Sequence, residues 1–412
     1  MPRPATGPLT GFRVVDCSTV LAGPYATMLL GDLGADVIKV EPPDGDATRS
    51  WGPPWVGDEA AGTRTAAYYL AVNRNKRSLR LDLRTEAGGE ILRRLLQTAD
   101  VFVENFRPES LARLGLGDEV LAELNSRLIH LAISGYGPTG PEVGRPGYDF
   151  LLQAEAGLMS ITGAPDEAGG VPTKVGVAIA DVAAGLHAAV GILAALAGRE
   201  RNAGPANAIG QRVDVSLLES TLSLLVNQAQ NAFVTGRAPV RRGNTHPNIV
   251  PYQAFETADG RIVVTVGSER QWPRLCRALG LPALADDPRF ATNGNRVTNR
   301  EELSTTLQRR LGERTTAEWL EVLAAADVPA APINDVPTAF ATPQAQARRM
   351  TVEVEHPLLG RTTQVGLPFT LSATPAEIRA APPLLGEHGP EILAELGYDE
   401  TEIEGLRAGG AI

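Results

Sequence analysis

Short β-rich runs alternate with longer helical stretches through the first third of the chain. FRVVDCS (Phe12–Ser18) is a β run ending in turn formers. AGPYATMLLGDLGA follows with helical spacing, Pro24 being tolerated in its first turn. DVIKVEPP is a second β run, stopped by Pro42 and Pro43. This β-α-β unit predicts parallel strands with a right-handed crossover. SLRLDLR (Ser78–Arg84), DVFVENF and LIHLAISGYG (Leu128–Gly137) are further strand candidates, with a helix over Glu86–Gln97. The first half therefore predicts an α/β sheet domain. Ligands on such sheets sit at the carboxyl ends of the strands. Here those ends carry the loops STVLAGP, EPPDGD, ENFRP and SGYGPTG.

The pattern changes beyond residue 150. GVAIADVAAGLHAAVGILAALAGRE holds one acid, Asp181, and no further charge until Arg199. Its apolar length falls slightly short of the roughly 20 residues of a membrane span, and a buried helix is expected. GQRVDVSLLESTLSLLVNQAQNAF starts strand-like and becomes a long amphipathic helix. QAFETADGRIVVTVG reads as a hairpin turning at Asp259-Gly260, and helical stretches follow it. Residues 236–335 thus form a second, smaller α+β domain. The tail, 350–412, predicts a strand pair and a terminal helix. No internal repeat is visible.

Composition narrows the function classes. The chain has 412 residues, 43% hydrophobic and 21% charged, with a net charge of −10. No long Lys/Arg run is present, so nothing marks a nucleic-acid partner. Cys17 and Cys276 form no CxxC, and the five histidines are dispersed, so no metal site is expected. The amino terminus, MPRPATGPLTG, has no apolar signal region, and a cytoplasmic location is expected. Neither GxGxxG nor GxxxxGK[ST] occurs.

The candidate residues each carry two readings. Asp181 opens a long helix, as an N-cap does, and as a carboxylate held ionised for attack on an acyl group would. In GYDF, Tyr148 and Asp149 read as core and cap, or as site residues. RRGNTHPNIVPY sets Arg241, Arg242, Asn244 and His246 in a loop suited to a carboxylate, or to a solvated linker. Asn105 ends a strand and suits a ligand loop.

Taken together, these stretches resemble the class III CoA-transferases of the formyl-CoA transferase and CaiB/BaiF type. The motifs are VVDCSTVLAGPYATMLLGDLGADVIKVEPP, NRNKRSLRLDLRTEAG, ADVFVENFRPESLARLGLG, SGYGPTGP, GYDFLLQAEAGLMSITG, KVGVAIADVAAGLHAAVGILAAL, GQRVDVSLLES, GNTHPNIVPYQAFETADG and PLLGEH. They span nearly the whole chain, in the family's order. GNTHPNIVPYQAF is most similar to the branch using succinyl-CoA and dicarboxylic acids.

The resemblance implies an α/β fold with a Rossmann-like large domain made of both chain ends, 1–212 and 350–412. Linkers at 213–235 and 336–349 would join it to the small domain, and two subunits would interlock as rings. It implies Asp181 as the nucleophile, acyl-CoA and a carboxylic acid as substrates, no permanently bound cofactor and no membrane partner. CoA contacts are implied at Leu21, Ala22, Leu81, Asp82, Leu83, Arg84, Asn105, Phe106, Arg107, Arg113, Arg145, Tyr148 and Asp149. Gly243, Asn244, Thr245 and His246 align with the substrate loop. Arg241 and Arg242 would help His246 hold a distal carboxylate.

Two departures matter: Leu21 stands where formyl-CoA transferase has Gln, and Pro42 where it has an adenine-side Arg. The α-methylacyl-CoA racemases, a sister branch, carry GHD where this chain has GYD. Tyr148, with an ordinary pKa of about 10, is a poor proton shuttle, which favours transfer over racemisation. A non-catalytic acyl-CoA-binding protein is the other alternative.

Overall fold

The computed structural model describes residues 6–201 and 209–412. The first five residues of MPRPATGPLTG, and 202–208 of the expected large domain, lie outside the described residues. The chain gathers into two units. The first holds the residues up to Leu158, then Val175–Gln230 and Pro343–Ile412. The second holds Met159–Lys174 and Asn231–Thr342.

The first unit is built on six parallel strands: β1 (Arg13–Asp16), β2 (Asp36–Glu41), β3 (Lys76–Arg80), β4 (Val101–Glu104), β5 (Ile129–Ser134) and β6 (Arg212–Ser216). Their order is β3-β2-β1-β4-β5-β6. The order reverses between β1 and β4, and the crevice at the carboxyl ends of those two strands is where this topology places a ligand. Both faces of the sheet are covered, and side chains alternate between them. Val14, Val37 and Val101 enter one core with Leu30 of α1 (Ala22–Asp32). Val15, Ile38 and Phe102 enter the other with Ile91 and Leu95 of α2 (Glu86–Thr98). Thr85 caps α2 by accepting from Gly88 N, and burial of each such Leu or Ile stabilises by about 1.5–3 kcal/mol.

Two further helices position the site, α3 (Asp149–Glu155) and α4 (Ile179–Arg201). α4 packs its Ala-rich face into the same core as α1. The approach is close enough that a Cβ on Gly185 would lie 2.7 Å from the Ala22 carbonyl oxygen. The helix is buried on that face only. Leu186 and Val190 on the other are 45% and 64% exposed, so the expected burial holds for one face of the helix.

Other expectations are corrected as well. The strand expected over Ser78–Arg84 is Lys76–Arg80, because Lys76 is drawn into a buried ionic network and LDLR lies wholly past the strand's end. The linker expected over 213–235 begins instead inside β6 and continues into α5 (Leu217–Ser223), both in the first unit. The expected long helix there breaks before Val226, whose φ of +32° cannot continue it. At 336–349, where the second linker is expected, the chain forms helices Val336–Ala341 and Pro343–Ala347, and the second unit ends at Thr342.

The second unit carries an antiparallel sheet of β7 (Tyr252–Glu256), β8 (Arg261–Thr265) and β9 (Ala330–Pro332), in the order β9-β8-β7. The expected hairpin is present, closed by Thr257 N donating to Gly260 O at 2.9 Å. Helices α6 (Gln271–Ala278), α7 (Arg300–Leu311) and α8 (Thr316–Ala325) close a core around Phe255, Trp272 and Trp319. Residues 159–174 belong to this unit, not to the large domain expected for them. Gly243 N donates to Gly163 O at 2.9 Å, and Arg241 pairs with Asp166. In the tail, Thr351–His356 and Gly360–Val365 form the expected strand pair.

Candidate active site

Asp181 lies in the first turn of α4, yet it is not the cap. The Asp149 carboxylate, from α3, accepts from Ala180 N at 2.8 Å. Its other oxygen accepts from Gln153 Nε2 at 2.8 Å, and Gln153 Oε1 accepts from Val175 N at 2.8 Å. With the helix end satisfied by Asp149, the Asp181 side chain is released from capping. Asp149 thereby acts on α4.

The electrostatics at Asp181 differ from expectation. Burial first, and the Asp149 charge second, push its pKa up to about 7, with no cation or hydrogen bond offsetting them. The carboxylate expected to be held ionised therefore takes up a proton more readily than an ordinary one. The same two carboxylates add to burial in raising the Tyr68 phenol above its ordinary value.

Asp181 shares a cavity of about 680 Å³ with Ala22, Asn105, Phe106, Arg107, Arg145 and Tyr148. This volume is in the range of ligand-binding clefts. The structure thus brings together seven of the expected residues, from four separate stretches of sequence. Two glycines make the approach possible: a Cβ on Gly147 would lie 2.3 Å from the Cα of Gly135. That contact sets Tyr148, which is 64% exposed, beside the end of β5. Arg145 is held by Glu155 at 2.5 Å and lies over the Tyr136 ring at 4.7 Å. The Asn105 amide grips Thr19, accepting from its N at 3.1 Å and donating to its O at 3.0 Å.

The remaining expected residues of the first unit lie outside the cavity lining. Leu21 is buried with Met28 and Val72. Leu81 is a core residue, and Leu83 packs against the same core. Asp82 and Arg84 pair with each other at 2.7 Å, and Arg113 donates to Ser110 Oγ at 3.1 Å. Gly243, Asn244, Thr245 and His246 belong to the second unit. Gly243 takes φ +57°, and Thr245 Oγ donates to Arg242 O at 2.9 Å. His246 Nδ1 accepts from Asn248 N at 3.1 Å, which leaves Nε2 to carry the proton. Burial, then Arg300, lowers the His246 pKa, so the ring is a neutral donor rather than a cation.

Residue-level reasoning missed Gln153 and Tyr68. Glu104, Ser134 and Tyr136 line the cavity from the expected loops ENFRP and SGYGPTG, at the carboxyl ends of β4 and β5. Tyr68 had no usable signal, since AAYYLAV reads simply as an apolar run.

Comparison with known proteins fixes the class. Residues 9–389 match the model of CoA-transferase family III. The chain is 44% identical to the succinate–glutarate CoA-transferase of Agrobacterium fabrum over 94% of its own length and 96% of that protein. It is 42% identical to the human succinyl-CoA:glutarate CoA-transferase, over 98% of this chain and 90% of the relative. Among solved structures, a CaiB/BaiF family protein from Brucella suis superposes with a TM-score of 0.83 at 43% identity, covering 95% of this chain and all 100% of the other. The chain belongs to CoA-transferase family III, and it is an enzyme of the transferase class.

Proposed function

We propose that this enzyme moves CoA from succinyl-CoA to a free dicarboxylic acid of glutarate size, through covalent intermediates on Asp181. The observation that carries the reading is a carboxylate left free of capping in a cavity that also holds Asn105, Phe106, Arg107, Arg145 and Tyr148. The printed activities of the Agrobacterium and human relatives support the substrate pair.

In the proposed sequence, an Asp181 oxygen attacks the thioester carbonyl, the C–S bond breaks, and CoA leaves as thiolate. The product is a mixed anhydride. The thiolate then attacks the Asp181 acyl carbon, giving an aspartyl-CoA thioester and free succinate. The acceptor carboxylate attacks that thioester, expelling thiolate and forming a second anhydride. Thiolate attack on the acceptor carbonyl yields the new acyl-CoA and restores Asp181. Each step exchanges one activated acyl group for another, so no ATP is consumed. Only the carboxylate form of Asp181 can begin the sequence, and a pKa near 7 keeps that form available while desolvation favours its attack.

The reading includes an interlocked homodimer in the cytoplasm, with the large domain formed by both chain ends. The exposed apolar side chains Leu186 and Val190 on α4 support a partner on that face. His246, Arg241 and Arg242 are read as the distal-carboxylate anchor. The test is product analysis by mass spectrometry with succinyl-CoA and a panel of mono- and dicarboxylic acids. Glutaryl-CoA and free succinate should form in equal amounts. Transfer confined to monocarboxylic acids would contradict the substrate assignment.

A further inference from the structure

Val20 adopts φ +73°. A β-branched residue rarely takes this left-handed conformation, and it persists only where its surroundings over-determine it. Val20 follows β1 and lines the cavity together with Thr19, Ala22 and Asp181. The strain is thus built into the wall of the site.

The surroundings that impose it are buried and charged. The Asp46 carboxylate accepts from Val20 N, its two oxygens lying 3.3 and 3.4 Å away. The same carboxylate accepts from Thr48 N at 3.0 Å and Thr48 Oγ at 2.7 Å, and pairs with Lys39 Nζ at 3.0 Å. Neither the Asp46 nor the Lys39 side chain is exposed at all. Lys39 Nζ also donates to Ser18 O at 3.0 Å, and Asn105 holds Thr19 on both sides. Ser18, Thr19 and Val20 are therefore each gripped by a group from another part of the chain. Lys39 has other compensation, since the charges of Asp16 and Glu41 also favour its ammonium form. The hydrogen bond from Val20 N is the contact that only Asp46 supplies.

We propose that Asp46, backed by Lys39, is a positioning residue for the acyl-CoA site: it fixes Val20 in its left-handed turn and so sets the cavity wall beside Asp181. The proposal rests on reading this cavity as the acyl-CoA site. Asp46 touches no substrate, and its effect passes entirely through the backbone of Val20. Removing it should loosen thioester binding while leaving the chemistry at Asp181 intact.

The experiment is a kinetic comparison of Asp46→Ala, Val20→Gly and the double variant, with Arg107→Ala as a probe of the cavity. Asp46→Ala should raise the KM for succinyl-CoA about tenfold, with kcat within about threefold of wild type. Glycine takes positive φ without a holder. The double variant should therefore return to within about threefold of Val20→Gly alone. A merely structural role for Asp46 would not be rescued in this way. If Asp46→Ala does not fold, Asp46→Asn, which keeps an acceptor for Val20 N–H, should retain a near wild-type KM. Amide exchange on the wild-type protein adds an independent check, because Val20 N–H should be protected. An unchanged KM in Asp46→Ala, a double variant as impaired as Asp46→Ala, a Val20 amide that exchanges freely, or an Asp46→Asn with a tenfold raised KM would each overturn the proposal. If Arg107→Ala also leaves KM unchanged, the cavity reading falls with it. An Arg107→Ala effect without an Asp46→Ala effect overturns the positioning role alone.

Discussion

Two carboxylates, the buried Asp16 and the half-buried Asp181, lie in the same unit, and the protein treats them in opposite ways. Asp16, at the end of β1, is fully buried and fully answered. Lys76 Nζ lies 3.1 Å away, Ser18 Oγ donates at 2.5 Å and Thr27 Oγ at 2.6 Å. Although burial is the largest influence and raises its pKa, Lys76, Lys39 and these hydroxyls together hold it below the ordinary carboxylate value. Asp181 is answered by nothing but a like charge, and it is pushed up to about 7. A charge buried with its partners holds structure together. A charge buried without them costs stability, and is retained where it does chemistry.

The contrast breaks most sharply at Asp181 itself. Asp181→Asn should lower CoA transfer by at least about 10³-fold, while the unfolding midpoint stays equal or rises, because no hydrogen bond is lost and a like-charge contact is relieved. Transfer assays beside thermal unfolding test both halves. Asp16→Asn should show the reverse emphasis, losing about 3–5 kcal/mol of stability as Lys76 and Lys39 are left short of charge. Chemical denaturation would measure it.

pH separates the two groups next. Activity needing ionised Asp181 should rise with pH through about 7 and flatten above it. The linkage sign follows from the raised folded value. Between the unfolded value of about 4 and about 7, the folded state binds the extra proton, so Asp181's contribution to stability falls as pH rises across that window. Asp16 and Asp46, whose folded values are lowered, contribute stability above the ordinary Asp range that is lost as pH falls through their folded values. Stability curves of wild type and Asp181→Asn should therefore diverge between about pH 4 and 7 and run parallel above it. Parallel curves throughout would show that Asp181 is not raised. The smallest expected effect is steric. Gly185→Ala places a Cβ against the Ala22 carbonyl, should cost about 1–3 kcal/mol, and should raise the KM for acyl-CoA by shifting the α4 terminus.

The same contrast explains what could be read in the sequence. The parallel sheet was legible because β1, β2, β4 and β5 are short apolar runs with alternating core partners. The crevice was legible because strand order fixes it. The hairpin at Asp259-Gly260 was legible from its turn residues. The ionisation of Asp181 was not legible, because desolvation and the approach of Asp149 arise only when α3 meets the start of α4. Nor was the division of labour, since either aspartate could serve as a cap until the hydrogen bond to Ala180 N chose Asp149. The strand at Lys76 was shifted for a similar reason, because its buried ion pair with Asp16 bridges residues far apart in the chain.

Covalent trapping shows whether Asp181 carries the acyl group during transfer. The protein is incubated with succinyl-CoA, quenched with hydroxylamine, digested and read by peptide mass spectrometry. An aspartyl hydroxamate should form at Asp181 in the wild type, and none at that position in Asp181→Asn. Turnover with an unmodified Asp181 peptide, or an Asp181→Asn variant that transfers CoA at near wild-type rate, would contradict covalent transfer through Asp181.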